Sequence, residues 1–445
     1  MTSDSTFPAP PPGCPAHDSG MRVPLYGPEY AADPQAYYAY MRHYGQTAPV
    51  EIAPGVDATL VTDHATALRL LQDSGNFRKD ARRWRDVAEG KIGPDSPVVP
   101  MLGYRPNAMF TDGAEHARLR QAITDSLAKV DSRRISDMTK RASDYLLAQV
   151  SARGSIDLMN DYVKQLPLLV FNELFGCPAD IGDRVVFGIS GVFEGVNAEK
   201  ANAVLGQAVF ELVALKRARP ADDVTSYLMR HEARLTDEEL VHQLILLLGA
   251  GAEPLRNLIG NTLHRLLLHD RYADGGLIEE AIDDTLWENP PMANYAPHYP
   301  AIDLEFGGTK MRAGDLVLVS MTAANTDPAL ATARQTGGRR AHLSWSAGPH
   351  ACPSKELARL VTMVAIENLL NRLHDIELAV PEDSLTWRPG PFHRALAALP
   401  CRFTPQVMQR PAPPRAETAA RGDNAPAGRK TERGVWGSFL SWLKG

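Results

Sequence analysis

Apolar residues recur at three- and four-residue intervals along six stretches: Pro34–Tyr44, His64–Asn76, Glu115–Ala128, Ser132–Val150, Thr236–Leu268 and Leu277–Glu288. That period lays apolar side chains along one side of a helix and predicts amphipathic helices there. Strand-like stretches are fewer and shorter: Asp57–Val61, Asp303–Phe306, Leu316–Met321 and Ile376–Val380. Nothing between about residues 30 and 405 reads as a linker or an internal repeat. The pattern predicts one large, mainly α domain with small β-sheets.

The two ends read differently. Residues 1–25 are rich in Ser, Pro and Gly and predict a flexible lead to a domain spanning 26–405. Residues 406–434 are dominated by Pro, Ala, Arg and Gly, the composition of a disordered linker. In 435–445, Trp436, Phe439, Leu440 and Leu443 share one helical face, flanked by Arg429, Lys430, Arg433 and Lys444. Such a segment reads as an element for a membrane surface or a protein partner. It reads equally as a tail that folds back or frays, since a helix of ~10 residues is marginal alone.

Charge and cysteine usage narrow the class. A net charge of -6 over 445 residues argues against a general nucleic-acid binder. Four scattered cysteines make no disulfide framework and point to a reducing cytoplasm. No signal peptide is visible, and the longest apolar run, Leu244–Ala252, falls short of the ~20 residues that span a bilayer.

Cys352 is the residue with candidate chemistry. Trp345-Ser-Ala-Gly-Pro-His-Ala-Cys352 is a loop, and Leu357, Leu360, Val361 and Val364 beyond it follow a helical period. This places the thiol where a loop turns into a helix, with Pro353 suited to the first helical position. A helix N-terminus favours a thiolate, hence a nucleophile or metal ligand. Spacing alone leaves an inert buried cysteine open. Cys14, Cys177 and Cys352 are all followed by proline, so that dipeptide does not choose among them; Cys14 has His17 nearby but sits in the lead.

From Tyr30 to Pro405 the order and spacing of motifs resemble the bacterial class of the cytochrome P450 superfamily, the haem-thiolate enzymes. The cysteine loop matches at Gly348, His350, Cys352, Ala358 and Arg359; Trp345 replaces a Phe, and Ser346 and Ser354 replace glycines. Glu115-His-Ala-Arg-Leu-Arg120, Leu246-Leu-Leu-Gly-Ala-Gly-Ala-Glu253 and Ala324-Asn-Thr-Asp-Pro328 match further motifs in the right order. The resemblance implies a P450 fold with haem b (iron protoporphyrin IX) buried between two long helices. It implies Cys352 as the iron's thiolate ligand, which favours O–O cleavage, with Pro353 offering no N–H to the sulfur and Ser354 the next donor. It implies His116, Arg120 and His350 on the haem carboxylates, with His298 where the family usually has Arg. Ala250, Gly251, Glu253 and Pro254 fall on the stretch that faces bound oxygen. Phe187, Phe193 and Val196 fall in the segment that usually lids the substrate.

Three departures accompany the match. Pro254 stands where the family has a threonine hydroxyl, leaving proton delivery to Glu253, water or substrate, and it frees the Ala250 carbonyl within the helix. Asp284-Thr-Leu-Trp287 replaces Glu-x-x-Arg, so the usual buried charge network cannot form, and the Pro328–His342 segment is short. An atypical actinobacterial branch lacks this pair, often beside genes for a small GTPase and a membrane sensor, and the chain looks like it. The expected activity is an oxidoreductase of secondary metabolism: a cytoplasmic monooxygenase, peripheral to the membrane if the tail docks. Its substrate would be a small apolar or aromatic metabolite, with electrons coming from NAD(P)H through a ferredoxin and ferredoxin reductase. Oxidative phenol or indole coupling, or peroxide-dependent chemistry, is a second reading. A degenerate fold serving as sensor or scaffold in a GTPase-linked membrane complex is a third.

Overall fold

The computed structural model describes residues 22–194, 198–269, 278–331 and 340–409, with 11, 411 and 412. Cys14, His17 and Val196, most of the linker and the whole 435–445 segment lie outside the described residues. Of the proposed lead, Val23–Pro24 is strand β1, paired in parallel with Thr47–Ala53 (β2), and Val23 and Leu25 are fully buried. The packed domain therefore begins ahead of residue 26. At the other end Gln406 still donates its backbone N–H to Ser151 O at 2.9 Å.

Local chemistry sets the helix limits. The His64–Gln72 helix starts at Asp63, whose carboxylate accepts the Thr66 amide at 2.7 Å. It stops short of Asn76 because the Asp73 carboxylate takes the amides of Gly75 and Asn76, closing a turn instead. The predicted Pro34–Tyr44 helix is α-helical over Pro34–Met41 and tightens into a 3₁₀ turn over Arg42–Tyr44. The long helix Asp237–Leu268 opens with a reciprocal cap between Thr236 and Glu239 and runs on through Pro254.

That long helix is the axis of the fold. Gly113–Ala128, Ser132–Val150, Leu166–Leu174 and Lys355–Arg372 contribute with it to one large apolar core. Ala179–Glu194 and Ala198–Ala218 pack tightly together, and a Cβ on Gly188 would lie 2.5 Å from Leu205 Cβ. A second core joins the N-terminal helices to a six-stranded sheet. Its strand order is β1, β2, Val56–Val61 (β3), Val317–Ser320 (β9), Asn294–Pro300 (β6) and Phe77–Arg78 (β4). Ser155–Asp157 (β5), Glu377–Leu378 (β10) and Pro400–Arg402 (β11) form a small antiparallel sheet, and Leu304–Phe306 (β7) with Thr309–Met311 (β8) a hairpin. The architecture is mainly helical with small sheets. Among the described residues no helix is long and apolar enough to cross a membrane.

Candidate functional site

Three cysteines are described, and burial separates them. Cys177 and Cys401 are enclosed, and desolvation pushes both thiols up to about 12, so each stays protonated and inert. Cys352 is half-exposed. Its backbone N–H donates to Trp345 O at 2.8 Å, which closes the loop on itself. The following helix begins at Lys355 with Ser354 as N-cap, so Pro353 precedes the cap and is not the first helical residue. The Ser354 side chain makes no capping bond; its Oγ lies 3.6 Å from Cys352 Sγ, placed to donate to a thiolate.

The loop's backbone is demanding. Gly348 has φ +67°, and a Cβ there would come within 2.3 Å of Leu71 O, so the turn packs flush on the end of the His64–Gln72 helix. Gly348 thus acts through the fold of the loop. Ser346, at one of the positions where the resemblance has glycine, is also left-handed, with φ +60°.

The four cationic candidates converge beside this loop. The rings of His116 and His350 stack with centroids 3.9 Å apart. Arg120 donates to Ala351 O and is electrostatically coupled to Cys352. His298 lies on β6 just beyond the register break at Tyr295, where Ala296 takes φ +55°. Its Nδ1 sits 2.7 Å from Ala296 O, so that nitrogen carries the proton and Nε2 is left as an acceptor. Burial holds all three imidazoles below their usual range and hence neutral, with His298 well below it. The charge that acts on all three imidazoles is Lys79, which sequence reasoning missed: only 5% exposed, its ammonium is pulled down by burial to about 7. Phe77-Arg-Lys-Asp80 carries no period, and nothing in it marks one lysine as buried.

On the long helix, Ala250 is exposed although it sits mid-helix, and Gly249, Gly251 and Pro254 are half-buried. Leu357, Ala358 and Leu360 of the post-cysteine helix are also incompletely covered. Incompletely covered small and apolar residues on these two helices suit contact with a flat apolar body. A Cβ on Gly251 would meet the Phe171 ring at 2.7 Å, which fixes that turn against its neighbour.

Glu253 points into a charge cluster. Its carboxylate bonds Arg388 and, at 3.3 Å, Arg256, with side-chain exposures of 15% and 7% against its own 7%. Despite the opposing effect of burial, the two guanidinia hold its pKa down at about 2. Arg256, three residues on, is a spacing a helix reader could have caught; Arg388, far along the chain, is not.

The departure at 284–287 takes a definite form. The buried acid is Asp283, paired with Arg359 and, at 3.9 Å, with Arg340. The Trp287 ring meets His342 edge-on at 5.7 Å. Phe187 is half-buried on its helix.

An iron porphyrin fits these residues. It asks for one axial donor, an apolar slot and partners for two carboxylates. Cys352, the open helix faces and the Lys79–His116–Arg120–His350 group meet each requirement, and His116 Nε2 is buried with no hydrogen-bond partner. Among the described residues no three His, Cys, Asp or Glu side chains gather as a metal site.

No protein-family model matches the chain. It is 32% identical over 378 residues to the 2-hydroxy-5-methyl-1-naphthoate 7-hydroxylase of Streptomyces carzinostaticus, covering 80% of this chain and 91% of that one. It is 31% identical over 403 residues to the cytochrome P450 monooxygenase PikC of Streptomyces venezuelae, covering 85% and 92%. The structure of CYP154C4 from Streptomyces sp. W2061 superimposes with a TM-score of 0.78 at 28% identity, covering 86% of this chain and 97% of that one.

Proposed function

The chain belongs to the cytochrome P450 family of haem monooxygenases, and from that premise we propose that it inserts one atom of O2 into a small apolar or aromatic metabolite. Electrons would come singly from NAD(P)H through a ferredoxin and its reductase, in the cytoplasm. The naphthoate hydroxylase, whose name gives an aromatic acid as substrate, supports the aromatic class.

The observation that carries the reading is Cys352, the one described cysteine that is not enclosed in the core, set beside a group of cationic and neutral donors. Haem, when bound, supplies oxygen activation at an iron made electron-rich by a thiolate ligand. The chain's own work is to hold and tune. Cys352 Sγ is the ligand, and the Ser354 hydroxyl donates to it and moderates its donor strength. His116, Arg120 and His350 bind the haem carboxylates. Ala250, Gly251 and Pro254 leave room on the oxygen face. Glu253, held between Arg256 and Arg388, keeps its proton off at working pH and braces the long helix against the segment around Arg388.

That arrangement favours a second reading of the reaction, oxidative coupling of phenols or indoles. Pro254 offers no hydroxyl and Glu253 is ionised, so a substrate carrying its own acidic O–H or N–H relieves the site of supplying a proton. The reduced carbon monoxide difference spectrum, run beside Cys352→Ala, tests the haem-thiolate site. A thiolate-type Soret band present in the wild type and lost in the variant is expected. A wild type that binds no haem would overturn it. Incubation with phenols then separates the reactions: dimers indicate coupling, oxygenated monomers indicate insertion.

A further inference from the structure

Lys79 is a buried ammonium that makes no ion pair among the described residues. Arg78 pairs with Tyr299 between β4 and β6, and continuing that antiparallel register by one residue sets Lys79 opposite His298. Asp112 is the nearby acid, but its carboxylate is occupied by backbone. It accepts Lys79 N at 3.0 and 3.1 Å and Asp80 N at 3.2 Å. Among the described residues the Lys79 side chain makes no hydrogen bond or ion pair. The groups facing it are His116 from the Gly113–Ala128 helix, His350 from the cysteine loop, His298 from β6, and Asp112.

His298 cannot serve a carboxylate from this position. Its only N–H is spent on Ala296 O, so a bare Nε2 lone pair is what remains. An ammonium has three N–H groups and can meet that lone pair and an anion together. We propose that Lys79 is a direct ligand of one haem carboxylate, so that the residue following strand β4 supplies the charge that His298 does not. The assignment rests on the haem reading above and adds a residue to it.

The test is haem loss to excess apomyoglobin from the holoprotein, for wild type, Lys79→Gln and Lys79→Arg. Each is loaded with protoporphyrin IX iron or with its dimethyl ester, whose carboxylates are capped. With native haem, Lys79→Gln should lose the group about tenfold faster, the scale of one charge-assisted hydrogen bond, and Lys79→Arg should recover most of the difference. With the dimethyl ester, wild type and Lys79→Gln should lose it at equal rates. Equal loss with native haem, or the same gap with the ester, would overturn the assignment, the second by showing that Lys79 acts only through the fold. A wild type that takes up neither form overturns the haem reading and this assignment with it, whereas wild-type retention unaffected by the Gln variant overturns this assignment alone.

Discussion

Replacing Glu253 with Gln separates a brace from a proton carrier. In the folded chain the carboxyl pKa falls from 4.5 to about 2, and at 1.36 kcal/mol per unit that corresponds to about 3 kcal/mol of stability. Exposure of 7% leaves little solvent to screen the pair. The sign follows from the direction: a carboxyl depressed on folding contributes fully above pH 4.5 and loses that contribution as pH falls toward 2. Glu253→Gln would leave Arg256 and Arg388 buried beside a neutral amide, a loss in the range measured for broken buried pairs. The expectation is a drop of about 3 kcal/mol in urea unfolding at pH 7, constant from pH 8 to 5 and narrowing below pH 4.5. Arg388→Met should show coupling to it in a double-mutant cycle of about 1 kcal/mol or more. A Glu253→Gln protein as stable as wild type, yet with product formation lost relative to NAD(P)H consumed, would refute the brace and return the residue to proton delivery.

Gly348→Ala meets both a left-handed backbone and the Leu71 carbonyl, so it should lower the melting temperature and the haem content of purified protein together. Ser346→Gly removes the side chain from a residue at φ +60° and should raise stability by about 1 kcal/mol in chemical unfolding, with an unchanged carbon monoxide spectrum. Asn325→Leu deletes three buried hydrogen bonds and should cost about 3 kcal/mol. Its thiolate Soret band should also convert on standing, because the loop it anchors leads to Cys352.

The parts of the fold legible in the sequence are those where one side of an element is wet. Ser132–Val150 alternates buried and exposed positions at helical spacing, and the predicted range matches the structure end to end. Leu166–Leu174 is apolar nearly all round, so no period marks it. Strand β6 was invisible for another reason: it contains Pro297 and Pro300, bulges at Ala296, and is buried at almost every position. The candidate site divides likewise. Cys352 announces itself through a loop and a helix close in sequence. Lys79 acquires its character only when β4 is laid against β6, and Glu253 changes meaning only when Arg388 arrives from 135 positions away.

The loss of Glu-x-x-Arg shows how the same fold is held by different chemistry. Without an arginine at 287, the Ile278–Glu288 helix is tied to the loop ahead of Cys352 by an amide. Asn325 Nδ2 donates to Leu286 O at 3.0 Å and Ser344 Oγ at 2.9 Å, while its Oδ1 accepts Leu343 N at 2.7 Å; Ser344 Oγ in turn donates to Leu286 O. Asn325 is fully buried, and these three bonds use both ends of its side chain. A neutral network loses far less on desolvation than an ion pair and has no charge to strand if one member shifts. An ionic part of the junction lies at Asp283 with Arg359, which sits on the helix that follows Cys352. Both ends of the Cys352 loop are therefore fixed, the near end by the hydrogen bonds of Asn325 and the far end by the Asp283–Arg359 ion pair.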